Sequence, residues 1–390
     1  MGNPQRTTGS RPLGKTGVWL PPVGQGMTQT GGGRGVLQTR DRERIRVLRA
    51  GVDLGLTLID TAEMYGGGRG EEIAGHALKG IRDDVFLTSK FNPANSSREG
   101  VKRAVEGTLA RLQTDYLDLY QIHWPDPSTP LEETLGAMQD LVCQGKVRFI
   151  GVSNFTLAEL EHAQSPNLAP EIVSNQMEYN LFQRDIEREM LPYCEATDMI
   201  LLAYSPFEGN SLLQGGSHLI ALQELATKHD KSVAEIALRW LLSRPFVVAL
   251  VKSATESHTV SNARIMDFDL TGDDVKLIDQ IFEQRVDHIP PEEIRVAWDG
   301  HTGIFDSLEA ASRNERDVIP APESVAVNIQ KGNFLKPLPV IRSSDNSGAY
   351  KYDLAGGAGD EIYYWAWLIA NGPAAPLPVY EKTAGEAWAK

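Results

Sequence analysis

The sequence is poor in cysteine, in unbroken apolar runs and in net positive charge. Only two cysteines, Cys143 and Cys194, occur in 390 residues. They lack the close spacing of a metal or redox pair, and both fall in helix-like segments. Each is therefore expected to be a core thiol in a reducing, cytoplasmic setting, and no metal is expected. The apolar runs are short and interrupted, so no membrane-spanning helix is expected. The opening stretch "MGNPQRTTGSRPLG" has no apolar region of the secretory type. Lys and Arg number 38 against 52 Asp and Glu, a formal net charge of −14, which argues against non-specific nucleic-acid binding. No G-x-G-x-x-G joins a first strand to a first helix, so a doubly wound dinucleotide sheet lacks its marker.

What is present is alternation. Short β-branched runs, among them "LTLID", "VFLTSK", "YLDLYQIH", "VRFIGVSN", "IVSNQMEY", "MILLAYS" and "VVALVKS", are separated by amphipathic stretches. In "SREGVKRAVEGTLARLQT", Val101, Val105, Leu109 and Leu112 recur at helical spacing. With a first strand in "PPVGQGMT" the pattern makes eight β/α units, which implies a closed (β/α)8 barrel over residues 11–286. Beyond that, alternation stops and proline and aromatic residues become frequent. Residues 287–390 are expected to form a small C-terminal α+β domain, with "YYWAWLIA" as its helix.

In such a barrel the C-terminal ends of the strands face the active site. The last polar residues of successive strands are Asp60, Lys90, His123, Ser153 with Asn154, Gln176, Tyr204 with Ser205, and Lys252 with Ser253. Tyr65 follows Asp60 in a glycine-rich turn, "YGGGRG". Taken singly, each has an ordinary reading: a turn cap, a surface cation, a structural histidine, a loop aromatic. Four at adjacent strand ends suggest chemistry. A free phenol titrates near ~10. A neighbouring Lys90 ammonium is expected to lower that value, Asp60 to hold the ammonium in place, and His123 to orient a substrate oxygen. The set then forms a proton donor for a carbonyl that receives a hydride.

These residues resemble the aldo-keto reductase superfamily. "LIDTAEMYGGGRGEEIAG", "LTSK", "DLYQIHWPD", "GKVRFIGVSNF", "SNQMEYNLF" and "LLAYSPF" are similar to its signatures in order and spacing, over about residues 11–285. "RPLGKTGVWLPPVGQG" resembles the hairpin that plugs the barrel bottom. The resemblance implies a catalytic tetrad of Asp60, Tyr65, Lys90 and His123, with Tyr65 the general acid. It implies that Ser153, Asn154 and Gln176 hold a nicotinamide carboxamide and that Tyr204 stacks on the ring. Ser205 and Phe207 fall near the pyrophosphate, and Met27 and Thr28 near a ribose. "KSATESHTVSN" falls on the segment for the adenosine 2′-phosphate, with Lys252, Ser253, Thr255, His258 and Asn262. His258 stands where many members have Arg, and Ser261 where an acidic or amide residue is common, so discrimination against NADH is expected to be looser.

The implied activity is NADPH-dependent reduction of an aldehyde or ketone, with NADPH expected ahead of NADH and a small carbonyl compound as substrate. Two alternatives share the barrel: an epimerase or dehydratase that uses its cofactor transiently, and a non-catalytic NADP-binding regulatory subunit. The tail faintly resembles a fold shared by ParB-like partition proteins and sulfiredoxin. It departs from it where Asp360 and Glu361 stand near an expected arginine, and it is expected to be a self-contained module with a structural, interface or substrate-covering role, association of copies through it being one option.

Overall fold

The computed structural model describes residues 8–28, 37–165, 171–208, 212, 217–253 and 255–283, and beyond these the strands between 294 and 369. Eight parallel strands close a barrel: β3 (Val23–Gly26), β4 (Leu58–Asp60), β5 (Phe86–Phe91), β6 (Leu117–Ile122), β7 (Val147–Ser153), β8 (Ile172–Glu178), β9 (Ile200–Tyr204) and β10 (Val247–Val251). β10 pairs back onto β3 and seals the sheet, with Ala249 opposite Val23. Ten helices accompany the strands among the described residues: α1 (Thr39–Asp53), α2 (Arg69–Leu78), α3 (Arg98–Leu112), α4 (Leu131–Cys143), α5 (Leu157–Ala163), α6 (Met190–Thr197), α7 (Ser217–His229), α8 (Val233–Leu241), α9 (Glu256–Ala263) and α10 (Gly272–Glu283). The expected barrel is the observed one.

The local reasons follow from sequence. In α3 the predicted apolar positions Val101, Val105, Leu109 and Leu112 are all buried. The Ser97 hydroxyl accepts from the Gly100 N–H at 3.2 Å and starts the helix, and Gln113 at φ 55° ends it. At the barrel bottom a hairpin of β1 (Arg11–Pro12) and β2 (Trp19–Leu20) inserts Leu13, Val18 and Leu20 among Leu58, Leu202 and Leu250. That end is filled by side chains, which leaves the C-terminal ends of the strands for a site. One expectation fails. Cys194 is buried, but Cys143 is exposed at the end of α4. Leu135, Met138 and Leu141 take the buried face of that helix, and Cys143, two residues beyond Leu141, points the other way.

α2 packs so closely on α3 that a Cβ on Gly75 would meet the backbone oxygens of Arg111 and Leu112, both at 2.7 Å. An unobstructed helical Gly→Ala change gains about 1 kcal/mol in propensity. Overpacking against rigid backbone costs about 1–3 kcal/mol. Gly75→Ala should therefore lower the thermal midpoint of the barrel, followed by far-UV circular dichroism. A raised midpoint would show that the two helices can separate at little cost.

The chain divides into two compact units, Met1–Ile278 and Asp279–Lys390. In the second, β11 (Ile294–Trp298) pairs antiparallel with β12 (His301–Ile304), β13 (Val325–Lys331) and β17 (Leu368–Ile369). β13 continues to β14 (Phe334–Leu338), and β15 (Val340–Arg342) pairs with β16 (Tyr350–Tyr352). Leu368 and Ile369 are thus strand residues, not the end of the expected helix. The rest of that segment, and the glycine run and acidic pair used for the ParB-like resemblance, lie outside the described residues.

Candidate active site

β4 ends at Asp60, but its backbone goes on running beside β5. The Thr61 N–H donates to Thr88 O at 3.0 Å and the Glu63 N–H to Lys90 O at 3.0 Å. Gly66, Gly67 and Gly68 then take φ 62°, 65° and 95° and turn the chain into α2. Three successive residues in the left-handed region are tolerable as glycine. This turn sets Tyr65 over the strand ends.

Lys90 is fully buried and Asp60 nearly so. The Lys90 ammonium donates to Asp60 Oδ2 at 2.8 Å and Oδ1 at 2.9 Å, to Thr61 O at 3.0 Å and to the Tyr65 phenol oxygen at 3.3 Å. Burial pushes the Lys90 pKa down, but the Asp60 carboxylate and Tyr65 outweigh it, and the net direction is upward. Lys90 therefore stays an ammonium. Because it donates to Tyr65, the phenol keeps its own proton for another acceptor.

The expected lowering of the Tyr65 pKa is overturned. Burial of the phenol raises it, and although Lys90 pulls it down, Asp60 pushes up again, so the net shift is upward. The ammonium that was to stabilise a phenolate is largely spent on Asp60. Tyr65 rests as a neutral phenol.

The His123 ring lies edge-on to Tyr65, with centroids 5.7 Å apart. Its pKa falls to about 3, first by burial and then by the Lys90 charge, so the ring is neutral. Nδ1 is buried without a hydrogen-bond partner. Trp124, exposed, stacks on the ring at 4.1 Å. The His123 shift has a consequence for stability. Below the ordinary value of 6.5 an unfolded histidine binds a proton that the folded one refuses down to about 3. In that window stability falls as pH falls, at about 1.4 kcal/mol per pH unit for one full proton. His123→Gln should lose less stability than the parent between pH 7 and pH 5, read from urea unfolding. Equal losses would mean that His123 is protonated in the fold. Acidic groups such as Asp274 titrate alike in both proteins and cancel in the comparison.

The other expected residues ring the same barrel end. Gln176 donates through Nε2 to Asp60 Oδ1 at 3.0 Å, a contact across the barrel that strand order alone does not announce. Ser153 Oγ donates to Gln176 O at 2.9 Å. Asn154 takes φ 61°, and its Nδ2 donates to His123 O at 3.1 Å. Tyr204, half-buried, donates from its hydroxyl to Asn154 Oδ1 at 2.9 Å, and burial first, then Glu178 and Tyr65, pushes its pKa up to about 12. Ser205 is exposed at φ 51° and Phe207 is half-buried two residues on. Two non-glycine residues in the left-handed region, each just past a strand end, mark loops held in a required shape.

A cleft opens between β3, α1 and β10, lined by Met27, Thr28, Arg44, Val47, Lys252 and Ser253. Asn262 donates from Nδ2 to Ser253 Oγ at 3.1 Å, and Thr255 caps α9 by accepting from the His258 N–H at 3.3 Å. The His258 side chain is exposed and does not line the cleft. Arg44 and Trp124 were not singled out from sequence. Trp124 had a signal, being next to a strand-end histidine. Arg44 is one of several arginines on a charged helix.

Chemically, the site can offer a proton from a neutral phenol beside a fixed cation, with a neutral imidazole alongside. The cleft next to it combines apolar walls of Met27, Val47 and Leu48 with Lys252 and Ser253 at a rim. That combination of apolar wall and cation suits an amphipathic anion.

Comparison with known proteins identifies the family of the barrel. The profile of the family described as Aldo/keto reductase family matches residues 22–283. Methylglyoxal reductase YeaE of Escherichia coli is 40% identical over 266 residues, covering 68% of this chain and 92% of that protein. Glyoxal reductase of Bacillus subtilis is 35% identical over 281 residues, covering 71% and 94%. An aldo/keto reductase from Klebsiella pneumoniae, solved in complex with NADP and acetate, superposes with a TM-score of 0.65 at 34% identity, covering 70% and 95%. The thermostable aldo-keto reductase Tm1743, solved with the inhibitor epalrestat, gives 0.66 at 41% identity, covering 70% and 99%. With its closed barrel, plugged bottom and strand-end constellation, the chain belongs to the aldo/keto reductase family.

Proposed function

We propose that the chain reduces small aldehydes or ketones with NADPH, with Tyr65 as general acid. The observation that carries this is the buried Lys90, which bonds Asp60 and Tyr65 at once. Names of relatives, methylglyoxal reductase and glyoxal reductase, point to small 2-oxoaldehydes as the class to try first. A structural relative carries NADP in its complex, and a second is solved with NADPH.

NADPH, when bound, supplies the hydride. Ser153, Asn154 and Gln176 would hold its carboxamide, Tyr204 would pack on its ring, and Lys252 with Ser253 would meet its 2′-phosphate. The chain does the rest. Neutral His123 orients the carbonyl oxygen without competing for its proton. Tyr65 gives its phenolic proton to that oxygen as negative charge develops there. The phenolate left behind gains from Lys90, whose Nζ is 3.3 Å away. A raised phenol pKa suits this order of events, since the proton leaves only when an alkoxide, a stronger base, is forming. Asp60 keeps the ammonium charged and in place, and Gln176 fixes Asp60.

The test is loss of NADPH absorbance with methylglyoxal and an aldehyde panel, with the alcohol product identified. Conversion without net change in the cofactor would place the chain with epimerases or dehydratases instead. Binding without any conversion would support a regulatory subunit.

A further inference from the structure

The segment after β10 is one guanidinium short of the set that grips a 2′-phosphate in the resemblance above, because position 258 is histidine and lies outside the cleft. The wall of the cleft facing Lys252 is instead built by α1. Arg44 lines the same hollow as Lys252 and Ser253 and is half-buried there. Burial lowers the Lys252 pKa, and Arg44, which lines the same cleft, lowers it further, with Arg40 adding to the effect. Like charges held together in a cleft favour an anion between them. α1 is fixed in this position from two sides. Arg46 Nε lies 2.9 Å from Glu256 Oε1 on α9, and the buried Asp41 carboxylate is 2.6 Å from Arg69 at the start of α2.

We infer that Arg44 of α1, rather than His258 of α9, supplies the guanidinium that reads the adenosine 2′-phosphate of the cofactor beside Lys252. This rests on the NADP reading proposed above. It makes preference for NADPH a property of two elements far apart in sequence, and Arg44 a specificity residue for the proposed reaction. A guanidinium fork offers a phosphate two parallel hydrogen bonds, where a lysine offers a point charge.

Calorimetric titration of the full chain with NADP+ and with NAD+ tests it directly, without turnover. Arg44→Ala should weaken NADP+ by roughly 10-fold or more, the scale of a charge-assisted hydrogen bond, and leave NAD+ nearly unchanged. Arg44→Lys should recover part of the loss and also serves if the alanine variant folds poorly. His258→Ala should cost less NADP+ affinity than Arg44→Ala, and Lys252→Ala a comparable amount. Equal weakening of both dinucleotides by Arg44→Ala would place Arg44 on the shared pyrophosphate and overturn the inference. So would no weakening at all, or a larger loss from His258→Ala. If the parent chain bound neither dinucleotide, the cofactor reading itself would fall, an outcome distinct from binding that ignores Arg44.

Discussion

Tyr65→Phe should reduce kcat by about 10²–10⁴-fold, the usual worth of a positioned general acid. The change removes one hydroxyl and keeps the ring. The ring contacts that matter, edge-on to His123 and beneath the Lys90 ammonium 5.0 Å from its centroid, remain available. Lys90 loses its weakest contact, at 3.3 Å, and keeps Asp60 and Thr61 O. Stability should therefore hardly move, and neither should dinucleotide affinity, since Tyr65 does not line the cleft beside Lys252. The raised Tyr65 pKa sharpens the expectation for pH. A phenol held neutral by burial remains competent across the neutral range, so the rate of reduction should fall only on the alkaline side, as the phenol ionises. A Tyr65→Phe enzyme with normal turnover on methylglyoxal would show that the proton comes from elsewhere, with neutral His123 the next group to examine.

Much of this site could be read from the sequence because strand ends are simple. Side chains alternate across a strand, the apolar run stops where the strand leaves the sheet, and the next polar residue faces the barrel mouth. Asp60, Lys90, His123, Gln176 and Lys252 were legible on that basis. What was not legible depends on depth or on docking. The direction of the Tyr65 shift required knowing that burial exceeds the pull of an ammonium already shared with Asp60. The Gln176 bond to Asp60 required closure of the sheet, which brings together residues 116 apart in sequence. Cys143 required the rotational setting of α4, since two residues along a helix separate core from solvent. Arg44 sits in "TRDRERIRVLRAGVD", where a run of arginines reads as a solvated face, and only the packing of α1 against α9 tells which one meets the cleft. In the tail, the apolar run "YYWAWLIA" reads as a helix that includes Leu368 and Ile369, and strand pairing with β11 took those two residues instead.

Lys90→Met should be among the most destabilising single changes in the barrel. Both members of the Lys90–Asp60 pair are almost wholly buried, and removing one leaves the other charged without a partner. Breaking a buried pair in this way typically costs about 3–5 kcal/mol. The loss spreads, because Thr61 O and the Tyr65 oxygen also lose their donor. Replacing the pair together, Asp60→Asn with Lys90→Met, removes both charges and leaves Gln176 an amide oxygen to bond. Such paired replacements are often close to neutral, so most of the lost stability should return in urea unfolding of the barrel. Activity should not return with it. The phenolate formed after proton transfer would have no cation beside it, and turnover should stay as low as in the single variant. That divergence separates the two roles of one lysine. If the double variant unfolded as easily as Lys90→Met, the cost would lie in lost packing rather than in the stranded carboxylate. If it regained turnover along with stability, Lys90 would be a structural cation only, and the acid would be working without it.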